Sequence, residues 1–113
     1  MVSPEEASTP TDINITVKDV LTSHIDAVRG IYHLPGSETL VTASEDCTLK
    51  IWDLSAQLTI EDTSQLEPYI TLRGHTGPLF ALTGTKASMP EHHNLVFTSG
   101  KEGIVRVWSV PRF

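Results

Sequence analysis

Three groups of residues have the types that chemistry needs. His24, Ser44 and Asp46 are the parts of a hydrolytic triad, in which a carboxylate orients an imidazole that deprotonates a hydroxyl. His33 with Glu91, His92 and His93 has the donor types of a metal site. Cys47 is the one thiol. None of the three has the surroundings that its chemistry requires. Ser44 stands between Ala43 and Glu45, with no Gly-x-Ser-x-Gly elbow and no Gly-rich oxyanion loop. Adjacent histidines on a polar loop do not easily turn both rings to one ion, and no Cys or Asp at ligand spacing supports them. Cys47 has only Lys50 as a basic neighbour, too little to hold a thiolate. The expectation is therefore a chain with no catalytic, metal-binding or cofactor-binding residue.

The same His and Asp belong to a pattern that occurs twice. The first copy runs from Ser23-His24-Ile25-Asp26 through Leu40 to Asp46 and ends at Leu49-Lys50-Ile51-Trp52-Asp53. The second runs from Gly74-His75-Thr76-Gly77 through Leu95 to Glu102 and ends at Val105-Arg106-Val107-Trp108. The histidines are 51 residues apart and the tryptophans 56. A repeat of this period, with His at one end and Trp at the other, marks a β-propeller blade.

The elements that position these residues read as short strands. β-Branched and aromatic residues fill 28–34, 40–44, 48–54, 69–73, 79–83, 95–99 and 104–107, with Pro35-Gly36 and Glu45-Asp46-Cys47 as turns. Ile13, Ile15 and Val17 alternate, so 13–21 is expected to be a further strand. No segment reads as a helix. Residues 1–12, rich in Ser, Thr, Pro and Glu, are expected to be a disordered leader.

Composition bounds the partners. Of 113 residues, 39% are hydrophobic and 19% charged, ordinary for a globular domain. No apolar run approaches the roughly 18 residues that span a bilayer, and the acidic N-terminus is not a signal peptide. With one cysteine there is no internal disulfide, which agrees with a reducing, cytoplasmic setting. Two segments account for the net charge of −6: Glu5, Glu6, Asp12 and Asp19 against Lys18, and Glu61, Asp62 and Glu67 with no cation. Without a basic stripe, nucleic acid is not an expected partner.

The doubled pattern resembles the WD-repeat propellers. That resemblance implies an all-β fold in which each repeat supplies the outer strand of one blade and three inner strands of the next. It assigns 13–21 as an outer strand whose own blade is missing, 28–73 as a complete four-stranded blade, and 79–108 as three strands of another. Two blades are too few to close a ring, so the remaining blades must come in cis or by oligomerisation. The family's structural tetrad then falls on His24, Ser44, Asp46 and Trp52. Asp46 accepts from His24, His24 bonds Ser44, and Ser44 takes the indole N–H. In the second repeat His75 and Trp108 are present. Gly100 stands at the position of Ser44 and Glu102 at that of Asp46, so that tetrad is expected to be partial.

Within that family, residues 21–29, 40–52 and 66–78 are similar to the first repeat of striatin and its link to the second. Striatins are scaffolds that gather protein phosphatase 2A with germinal-centre kinases, so the resemblance implies a non-catalytic platform for protein partners. A substrate receptor of a ubiquitin ligase, also built on WD repeats, is the alternative. Successive antiparallel strands put the long connections 55–67 and 85–93 on one side. The short turns at 23–26, 45–47, 76–78 and 101–103 are left on the other. Rigid turns lose little entropy on binding. Ile25, Asp26, Glu45, Thr76 and Lys101 are therefore the expected partner contacts.

Overall fold

The computed structural model describes residues 15–17, 19–55, 67–85 and 94–113. Among the described residues, seven strands form two antiparallel sheets. The first holds β1 (Val28–His33), β2 (Thr39–Ser44), β3 (Thr48–Asp53) and β4 (Ile70–Arg73) in chain order. The second holds β5 (Leu79–Gly84), β6 (Leu95–Gly100) and β7 (Val105–Ser109), again in order. Both are meanders, as tight turns between short alternating strands require.

Register sorts the side chains of the first sheet. Val41 pairs with Ile51 and Ala43 with Leu49, so these four apolar residues share one face. Leu40 pairs with Trp52 and Thr42 with Lys50, which puts the indole and the hydroxyl together on the other. In the second sheet Val96 pairs with Trp108 and Thr98 with Arg106, again on one face. The core is the join between the sheets. Val41, Ala43, Leu49 and Ile51 form one cluster with Leu79, Val96 and Val110, and Leu82 and Trp108 pack against it. Each fully buried Leu, Ile or Val contributes about 1.5–3 kcal/mol relative to exposure.

Two glycines allow the innermost strands to meet. A Cβ on Gly30 would lie 2.8 Å from the Leu82 Cβ, and one on Gly84 would lie 2.3 Å from the Tyr32 ring. The Tyr32 hydroxyl donates to the Thr85 carbonyl at 2.9 Å, so the ring keeps its polar end satisfied. Register shifts at Val28/Gly30 and Leu79/Ala81 put the same irregularity at the start of β1 and of β5.

The C-terminal segment returns to the first sheet. The Phe113 N–H donates to the Thr39 hydroxyl (2.8 Å), and that hydroxyl donates to the Pro111 carbonyl (3.0 Å). The Glu38 N–H donates to the Phe113 carbonyl, and the Phe113 ring meets Tyr69 edge-on at 4.8 Å. Nothing in the local sequence announced this clasp.

The described part of 13–21 stands apart from both sheets, with Ile15, Val17 and Val20 exposed. The alternation is strand-like, and the blade to which it was assigned is neither of these two sheets. The leader 1–12 and the greater part of both long connections lie outside the described residues.

Candidate functional site

Both repeats build the same buried chain of hydrogen bonds. In the first, the Trp52 indole donates to the Thr42 hydroxyl at 2.9 Å. Thr42 Oγ1 lies 2.7 Å from His24 Nε2, and His24 Nδ1 lies 2.9 Å from Asp46 Oδ2. Direction follows from the ends. An indole only donates and a carboxylate only accepts, so a neutral imidazole protonated at Nδ1 satisfies every atom between them. Asp46 also accepts the N–H of Ile25 (3.1 Å) and of Thr48 (2.9 Å) and the Thr48 hydroxyl. Burial opposes its charge. The bonds from the Thr48 and His24 side chains and the two backbone N–H groups outweigh that and hold the carboxyl at about 2.

The hydroxyl of this relay is Thr42 and not Ser44, which corrects the reading from sequence. The register sets Thr42 opposite Lys50, two residues from Trp52 and on the same face. Ser44, one step further along that face, works in the turn. Its hydroxyl accepts the Asp46 N–H (3.0 Å) and donates to the Asp26 carbonyl (3.2 Å).

The second correction follows from the first. Thr98 stands ten residues before Trp108, as Thr42 does before Trp52. The Trp108 indole donates to Thr98 Oγ1 at 2.8 Å, Thr98 lies 2.7 Å from His75 Nε2, and His75 Nδ1 meets the Glu102 carboxylate. The second relay is therefore complete. Gly100 does not stand for a lost hydroxyl. A Cβ there would meet the Pro78 carbonyl oxygen at 2.0 Å, so close approach of β5 demands glycine. The extra methylene of Glu102 lets it reach the Thr76 N–H and hydroxyl at 3.3 and 3.2 Å. Burial opposes the Glu102 charge too, but the hydrogen bonds from His75 and Thr76 hold its carboxyl below the usual value.

The corners share a backbone form. Cys47 has φ of 75° and Gly103, at the same place in the second repeat, has φ of 83°. A side chain in this left-handed region costs about 1 kcal/mol or more, and the hydrogen bonds around Asp46 hold it there. The two corners and the loops at His24 and His75 sit at one end of the sheets. The Glu45 N–H donates to the Ala27 carbonyl, and the Lys101 N–H to that of Pro78.

Of the five expected contacts, Ile25, Asp26, Thr76 and Lys101 are exposed there, and Glu45 is half-buried beside Arg29. The connections between β3 and β4 and between β5 and β6 leave from the opposite end. Among the described residues no group of three or more His, Cys, Asp or Glu could hold a metal. His33 donates from Nε2 to the Ser37 carbonyl (2.7 Å), and Glu91, His92 and His93 lie outside the described residues.

This geometry has a counterpart among known proteins. The pattern described as WD domain, G-beta repeat matches residues 15–53 and 66–109. The chain belongs to the WD-repeat family. Its WD segment is striatin-like. It is 34% identical over 97 residues to the striatin homolog of Dictyostelium discoideum, covering 83% of this chain and 12% of that protein. It is also 34% identical over 96 residues to striatin-3 of Bos taurus, covering 83% of this chain and 11% of the relative. The WD segment thus spans about an eighth of the length of these curated relatives.

Among solved structures, the computationally designed Ika4 protein matches with a TM-score of 0.60 at 21% identity. That match covers 85% of this chain and 49% of the designed one, and it speaks to fold alone. Two open sheets of four and three strands are an incomplete WD-repeat propeller. No helix among the described residues is long and apolar enough to cross a membrane.

Proposed function

We propose that this WD-repeat segment is a non-catalytic docking platform for protein partners, within a striatin-like scaffold that brings protein phosphatase 2A and kinases together in the cytoplasm. The observation that carries the reading is the pair of buried relays. Each spends its His, its carboxylate and its Trp on holding a turn, and a His buried in such a chain has no nitrogen left for a substrate proton. The turns so held face solvent at one end, where a partner meets side chains that lose little freedom on binding.

The likeness to striatins supports the scaffold reading. In it, further blades of a closed ring, from the same polypeptide or another copy, cover Val105 and Val107, which stand 67% and 57% exposed on β7. The test is partner capture by the full-length protein. Joint alanine substitution of Ile25, Asp26, Glu45, Thr76 and Lys101 is expected to reduce capture tenfold or more with the fold intact, as truncation of several interface anchors does. If deletion of 55–67 abolishes capture while the five substitutions do nothing, the docking face is at the other end.

A further inference from the structure

The first repeat has a cavity that the relay does not use. It holds about 160 Å³ and is lined by Ser23, Ile25, Asp46, Thr48, Lys50 and Arg73. Two cations share it. Lys50 is only 7% exposed, and its ammonium donates to the Thr71 hydroxyl at 2.9 Å. Arg73 lies across the strands from Thr48. Among the described residues, neither cation has a carboxylate within ion-pair distance. A buried ammonium with one neutral partner is costly, and proteins normally pair it.

The second repeat provides an internal control. Arg106 stands where Lys50 does, two residues before the Trp-equivalent position, and lies beneath Gly74 as Lys50 lies near Ser23. There the longer Glu102 reaches the cation at 3.7 Å. Asp46 is a methylene shorter and is committed to His24, Ile25 and Thr48, so among the described residues the cation of the first repeat has no counterion. With Lys50, Arg73 and Asp46 the cavity carries one net positive charge. That matches a single carboxylate better than a phosphate dianion, which the fixed Asp46 charge would repel. Ile25, 91% exposed at the rim, offers an apolar wall to side-chain methylenes.

We infer that the Lys50–Arg73 cavity binds a glutamate side chain from an acidic segment of a protein partner. The inference rests on the docking reading above and names its partner chemistry.

The test is fluorescence anisotropy of fluorescein-labelled hexaglutamate with the intact chain at low ionic strength. Binding that weakens with added salt is expected. Lys50→Met should lower affinity about tenfold or more, as loss of a desolvated charge partner does. Its melting temperature should stay level or rise, because a desolvated cation is gone. Lys50→Arg should retain binding, and Arg73→Gln should lose affinity where the charge-matched Arg112→Gln does not.

Equal affinity of Lys50→Met and the parent, or of Arg73→Gln and Arg112→Gln, overturns the proposal. So does tenfold tighter binding of a hexapeptide carrying one phosphoserine and no glutamate. If hexaglutamate fails while the five-alanine variant still loses partner capture, the cavity is retired and the docking face stands. The converse result retires the face alone.

Discussion

At the scale of single residues, the hydroxyl in each relay is the most exposed to test. Thr42→Val keeps the shape of the side chain but strands the Trp52 indole N–H. Thr98→Val does the same to Trp108. Each should cost about 1–3 kcal/mol, the penalty for a buried polar group left unpaired. In nuclear magnetic resonance the matching indole proton should shift and exchange faster, while Ser44→Ala leaves the Trp52 signal in place. A moved Trp52 signal in Ser44→Ala would restore Ser44 to the relay.

Why sequence reading chose Ser44 is physical. Thr42 and Ser44 lie on one face of β2, and alternation cannot separate them. A comparison of the repeats would have done so, since both carry Thr ten residues before Trp, whereas the residue eight before is Ser in one and Gly in the other. Asp46 gives a second test. Its carboxyl is held at about 2 against an ordinary 3.8. As pH falls, the unfolded chain takes up this proton first, so the stability that Asp46 confers is complete above about 4 and is lost towards about 2. A urea midpoint measured across that range should fall steeply in the parent and less in Asp46→Asn. Glu102 works in the same direction.

At the scale of elements, all seven strands were legible, because each is a β-branched or aromatic run stopped by turn residues. The pairing was legible too, since meanders follow chain order. The described part of 13–21 pairs with neither sheet. Alternation reports that a segment suits a half-buried strand, but a strand also needs an edge to pair with. Gly30, Gly84 and Gly100 were equally silent, because their reason lies in another strand's approach. The two corners show the reverse case. Cys47 holds a left-handed backbone that Gly103 adopts freely; the turn and the Asp46–His24 pair were legible, whereas the Asp46 bonds from Ile25 and Thr48 were not.

At the scale of the whole molecule, the two sheets are joined by Leu, Ile and Val packing at their interface and by the clasp of residues 110–113 over β2. The clasp ties residues 72 to 77 positions apart in the chain, as in the Thr39–Pro111 and Pro35–Arg112 bonds. Its consequence is kinetic. Closing a loop of that length is entropically late, since local meander contacts form without it. The clasp is then absent from the rate-limiting barrier and acts after it, as a brake on opening. Phe113→Ala should therefore raise the unfolding rate by about fivefold for each kcal/mol lost and leave the folding rate within experimental error. Stopped-flow chevrons measure both arms, and a slowed folding arm would place the clasp in the nucleus. A few residues that add little to how fast the sheets find each other would then decide how long they stay together.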